Sequence, residues 1–169
     1  MTKSTKSNGL IVDANILIDY AKSGPSILLL VSKYIQQLYV PLPILHEVKD
    51  LSRSDIEKLG IDVVEPSLTQ LINANELRQT KPTLSGQDAI CLVMAEDNEW
   101  ICLTNDKPLR SLCYERNIDC LWGLEIMIQL VSMEKLTVEE AYRTALDIQS
   151  KNKYIKAETV ERFKKKLRR

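Results

Sequence analysis

Short apolar runs alternate with helix-length amphipathic segments along most of this chain, and no other feature constrains its fold as much. Runs at 10–12, 38–40, 62–64, 100–103 and 119–121 carry Leu, Ile, Val and Cys and are too short for helices. Between them, segments at 16–21, 26–37, 44–51, 67–78, 87–97 and 108–116 place apolar residues at helical spacing. Strands that alternate with helices join by crossovers, which gives a parallel sheet with helices on its faces. The predicted fold is α/β: a three-layer α/β/α sandwich around a mainly parallel sheet of about five strands. Two more helices, near 137–148 and 157–167, follow the last strand as a C-terminal helical hairpin. The expected organisation is one domain over residues 9–133, with 134–169 a helical extension packed on it.

A chain of 169 residues buries about 70% of its unfolded surface, so it folds without disulfides or a structural metal. No apolar run approaches the ~20 residues of a membrane span. The start, MTKSTKSNG, is polar and no apolar leader core follows it. By elimination a cytoplasmic protein with no membrane partner is expected. Cys91, Cys102, Cys113 and Cys120 form no CxxC pair and lie far from the single histidine, His46, which argues against zinc. They read as buried free thiols.

The zero net charge is unevenly spread. Residues 1–150 carry 14 basic and 21 acidic side chains, a net of −7; residues 151–169 carry 9 and 2, a net of +7. The basic tail has two readings of equal weight, the wet face of a helix built on Ala157, Val160, Phe163 and Leu167, or a contact for a polyanion. Trp100 and Trp122 border strands and read as packing rather than base-stacking platforms, and Tyr154 as packing between the last two helices.

Ligands of open parallel sheets bind beyond the carboxyl ends of the strands. Two acids stand there: Asp13 after the first strand, in LIVDANILIDY, and Asp106 after the fourth, in CLTNDKPLR. Asp88 opens the apolar helix SGQDAICLVMA, and Glu47 lies at the shoulder of the stripe in PILHEVKDL. Each acid alone has a structural explanation. Asp13 and Asp106 suit helix N-caps, Ser85 with Asp88 resembles a capping box, and Glu47 suits solvent. Together they form a cluster of like charges, which repels itself unless cations neutralise it. A site of oxygen ligands, with no paired Cys or His, suits the hard cations Mg²⁺ or Mn²⁺. Two such ions about 4 Å apart can clamp a phosphodiester and activate water, a chemistry that needs no nucleophilic side chain. No GxSxG, no Ser-His-Asp set and no phosphate-cradling GxxxxGK[ST] is present.

In order and spacing, LIVDANILIDY, LPILHEVKD, LSGQDAICLVMA and CLTNDKPLR resemble the four acidic motifs of the PIN-domain nucleases, over roughly residues 9–130. That resemblance implies a compact α/β/α domain that hydrolyses phosphodiester bonds, most often of RNA, with Mg²⁺ or Mn²⁺. By position, Asp13, Glu47, Asp88 and Asp106 would be catalytic and bind the metal. Asn15 would orient the first aspartate or a water, and Thr104 would support the site through its hydroxyl. Many small members are VapC-like toxins, silenced by a small antitoxin protein and often homodimeric, so both partners are implied. Two departures stand out. Lys107, Pro108, Leu109 and Arg110 follow Asp106, where many members carry a further acid, and the chain is longer than a minimal toxin. The alternative is a catalytically weak or inactive, PIN-like nucleic-acid-binding or regulatory module.

Overall fold

The computed structural model describes residues 8–169, and most of the polar start, residues 1–7, lies outside them. β1 (Leu10–Val12) leads to α1 (Ala14–Ser23) and α2 (Pro25–Tyr34), and β2 (Leu38–Pro41) to α3 (Leu42–Leu45) and α4 (Arg53–Lys58). β3 (Ile61–Val64) precedes α5 (Leu68–Thr80) and α6 (Gly86–Asn98), and β4 (Ile101–Leu103) precedes α7 (Lys107–Glu115). β5 (Cys120–Leu121) is followed by α8 (Glu125–Ser132), α9 (Val138–Lys151) and α10 (Ala157–Leu167).

The five strands form one sheet in the order β3-β2-β1-β4-β5, and every pairing is parallel. β1 is central, and Leu10, Ile11 and Val12 are fully buried. A parallel strand covered on both faces must be apolar throughout, which is why LIV shows no alternation. α6 packs on β1 and β4 with α5 and α7 beside it, whereas α2 packs on β2 and β3 and adjoins α1 and α8. The sheet therefore lies between two helical layers, the expected α/β/α architecture. The last two helices pair with each other; α9 also packs on α1, and α10 on α8. Ala141, Ala145, Ile148, Val160, Phe163 and Leu167 join the same buried cluster as the strands. Among the described residues no helix is long and apolar enough to cross a membrane.

Two local readings change. The predicted helix at 44–51 is only the single turn α3, and Glu47 lies in the turn after it. Ile44, Leu45 and Val48 still reach the core, so the apolar spacing is met by a turn rather than by a continuous helix. The chain then restarts as α4, where Ser52 and Asp55 form a reciprocal capping box. The second change is α8, which lies in a stretch read as neither helix nor strand. Its N-cap is Leu124 and makes no side-chain cap bond, so no start signal marks it.

Candidate active site

Strand order reverses beside β1: its chain successor β2 lies on one side and β4 on the other. The carboxyl ends of β1 and β4 thus flank the crevice where doubly wound sheets bind ligands. Val12 pairs with Leu103, so Asp13 and Thr104 leave the two strands at the same level.

Asp13 is 3% exposed and divides its two oxygens between two duties. Oδ1 accepts from the amide of Ile16 at 2.9 Å, capping α1. Oδ2 accepts a short hydrogen bond from the hydroxyl of Thr104. Thr104 is fully buried, and its Oγ1 in turn accepts from the amide of Asp106 at 3.0 Å. Asp106 caps α7, with Oδ1 accepting from Leu109 N at 2.8 Å. One hydroxyl therefore ties together the loops that carry the two strand-end aspartates. Both aspartates are helix caps, as the bland reading holds, and they also share a rim. A carboxylate offers about four lone-pair sites, so a cap bond leaves room for a further partner.

Asp88 is half-buried at the third position of α6, with its amide donating to Ser85 Oγ at 3.1 Å. Its carboxyl is pushed up to about 6, first by burial and then by the negative charges of Asp106, Asp13 and Glu47, against a hydrogen bond from Ser85. Burial likewise raises Asp13, opposed by its bonds from Thr104 and Ile16 and reinforced by Asp106 and Asp19. No lysine or arginine is among the main influences on either group. Asp88 thus feels the charge of Asp13, Glu47 and Asp106, and Asp13 that of Asp106. Glu47 is exposed, and Asn15, in the first turn of α1, is also exposed and lines the same hollow as Asp106.

Among the described residues no group of three or more His, Cys, Asp or Glu is arranged to hold a metal ion. The acids are neighbours in charge rather than a closed coordination shell. Asp13 and Asp106 are fixed by their cap bonds, whereas Asp88 is half-buried and Glu47 exposed. Carboxylate oxygens are the donors that a hard divalent cation takes.

No family model matches the chain, and no curated protein matches it. Among solved structures, the protein PAE2754 from Pyrobaculum aerophilum is similar, with a TM-score of 0.52 at 16% identity. The match covers 78% of this chain and 94% of that one. At that identity the likeness is one of fold.

Two features of the site are missing from the sequence reading. Asp19 is 9% exposed on α1, and Asn152, after α9, donates to both its oxygens at 3.0 and 3.1 Å. Its signal was its place between Ile16 and Tyr20, on the buried face of the helix. The second is the setting of Trp122. Trp100 does pack, stacked on Tyr39 at 4.1 Å between ring centroids. Trp122 instead is 38% exposed, and Tyr154, expected between two helices, is 79% exposed.

Proposed function

We propose that this chain is a divalent-cation-dependent endoribonuclease of the PIN-domain kind. The observation that carries the reading is geometric: Thr104 ties Asp13 and Asp106 together at the ends of two neighbouring strands, and the charges of Asp13, Glu47 and Asp106 act on Asp88 beside them. Carboxylates kept close to one another repel unless a cation is bound during function. Asp13, Glu47, Asp88 and Asp106 would hold Mg²⁺ or Mn²⁺. When bound, the ion lowers the pKa of a water and offsets charge on the leaving oxygen.

The chain's own residues then have distinct tasks. Thr104 keeps Asp13 and Asp106 in register across two strands. Asn15, exposed on the rim, would orient Asp13 or a metal-bound water.

The test is cleavage of a fluorescent RNA with Mn²⁺. The wild type should cut, and Asp13→Asn and Asp106→Asn should lose cleavage while staying folded in a thermal melt. Full activity in both variants contradicts the reading. A role as the toxin of a toxin–antitoxin pair goes with the same proposal, with a small antitoxin or a second copy as partner. A noncatalytic binding module is the second reading. It is favoured by the open arrangement of the acids and by Lys107, Pro108, Leu109 and Arg110 in place of a further acid. Mn²⁺ should raise the melting temperature of a metal-dependent enzyme and leave that of such a module unchanged.

A further inference from the structure

A cavity of about 650 Å³ adjoins Asp106, within the ~300–1,000 Å³ range of pockets that enclose small ligands. Asn15 and Asp106 stand in its wall, so it is continuous with the candidate site. Trp122 and α8 form another part, and α10 contributes Thr159, Arg162 and Lys166. The cavity thus lies where the acidic body meets the basic tail.

Trp122 is held in a defined place. The guanidinium of Arg110 covers its ring at 3.4 Å from the centroid, and the ring still reaches the cavity wall. The hydroxyl of Tyr20 donates to the carbonyl of the next residue, Gly123, at 2.5 Å, and the Gly123 amide donates to Asn105 Oδ1 at 2.9 Å. A Cβ at position 123 would come within 2.5 Å of Ile16 Cδ1, so a larger residue there would make the Ile16 side chain shift. An aromatic ring backed by arginine, with the backbone of the next residue held at both its carbonyl and its amide, is a preorganised stacking surface.

Across the cavity, Arg162 and Lys166 stand one helical turn apart, on the same face of α10. Arg162 is exposed and makes no ion pair among the described residues. Lys166 meets Glu125 at 3.0 Å, but both side chains are partly exposed, and such a pair yields readily to a competing anion.

We propose that this cavity binds one nucleotide of a single-stranded RNA beside the phosphate presented to the acids. Its base stacks on Trp122, and its backbone is met by Arg162, Lys166 and Lys107. The proposal rests on the nuclease reading of the acid cluster. A flat platform joined to a short run of cations is the way single strands are held, because paired bases do not offer their faces.

The test uses the full chain with Trp100→Phe, which leaves Trp122 as the only tryptophan, and Asp13→Asn, in EDTA so that nothing is cut. A fluorescein-labelled single-stranded RNA 8-mer is titrated while label anisotropy and tryptophan emission are read. Saturable binding should quench Trp122 in step with the anisotropy. Trp122→Ala should weaken binding roughly 5- to 150-fold, the equivalent of one lost base stack. An abasic oligomer of equal length should bind no better to the unsubstituted platform than the RNA binds to Trp122→Ala. Arg162→Ala, an exposed change that does not threaten folding, should reduce the salt slope by about 0.7. Equal affinity with and without Trp122, equal binding of duplex and single strand, or no binding at all overturns the proposal. Cleavage plays no part in this assay. Mn²⁺-dependent cutting with Trp122-independent binding would remove the base subsite and leave the nuclease standing, and Trp122-dependent binding without cutting would do the reverse.

Discussion

Thr104 donates its hydroxyl proton to Oδ2 of Asp13, across ninety-one positions of sequence, from the strand that lies beside Asp13's own. That bond, with the Asp106 amide on the other side of the same oxygen, joins the two strand ends into one rim. Thr104→Val keeps the shape but leaves a buried carboxylate oxygen and an amide without their partner. A loss of about 1–3 kcal/mol follows, a fall of roughly 3–10 °C in melting temperature. Thr104→Ser retains the hydroxyl and should lose less. Differential scanning calorimetry of the two variants checks the ordering.

Asp13 serves both as a cap and as a charge, and two substitutions separate these roles. Asp13→Asn keeps a capping oxygen and removes a carboxylate that burial disfavours, so the metal-free protein should melt no lower than wild type. Asp13→Ala loses the cap and the partner of Thr104, and should be destabilised by at least ~1 kcal/mol. A melt of Asp13→Asn well below that of wild type would show that the charge itself holds the fold together.

Asp88 gives stability a defined pH dependence. Its pKa in the folded state is about 6, above the ordinary 3.8, so the native state holds this proton more tightly than the unfolded chain does. The stabilisation it contributes is therefore complete below about pH 3.8 and is lost as pH rises through about 6. In EDTA, Asp88→Asn and wild type should differ little in melting temperature at pH 4. At pH 7 the variant should melt higher, by roughly 2–4 °C for each kcal/mol regained. A difference that does not change between these pH values contradicts the placement of Asp88 among other acids.

The cysteines lie close together in the core rather than apart. Cys102, Cys113 and Cys120 are hydrogen-bonded neighbours, and Cys91 is fully buried near Val12. Burial raises Cys91, and a bond to Cys113 together with burial raises Cys120, so thiolate is scarce throughout. Ellman's reagent should find at most one reactive thiol in the native protein, Cys120, which is partly exposed, and four after unfolding.

The central strands and the caps are legible in the sequence because each is written locally. An apolar triplet that stops at an aspartate states both a buried parallel strand and the start of the next helix. Glu47 was read on a helix because Ile44, Leu45, Val48 and Leu51 satisfy helical spacing, which a turn also meets. α8 has no capping residue, so its start was invisible. The pairing of Asp19 with Asn152, the contacts among the thiols and the platform at Trp122 depend on residues brought together by the fold. No local pattern encodes such meetings, although Asp19 on an apolar helix face signals one.

The most direct test of the central claim is Mn²⁺ binding measured by isothermal titration calorimetry, in wild type and in Asp13→Asn, Glu47→Gln, Asp88→Asn and Asp106→Asn. The account predicts binding by the wild type that weakens as pH falls below about 6, where Asp88 takes up its proton, and a loss of tenfold or more in each variant. A wild type that binds no Mn²⁺, or variants that bind it as tightly, would contradict a shared cation site.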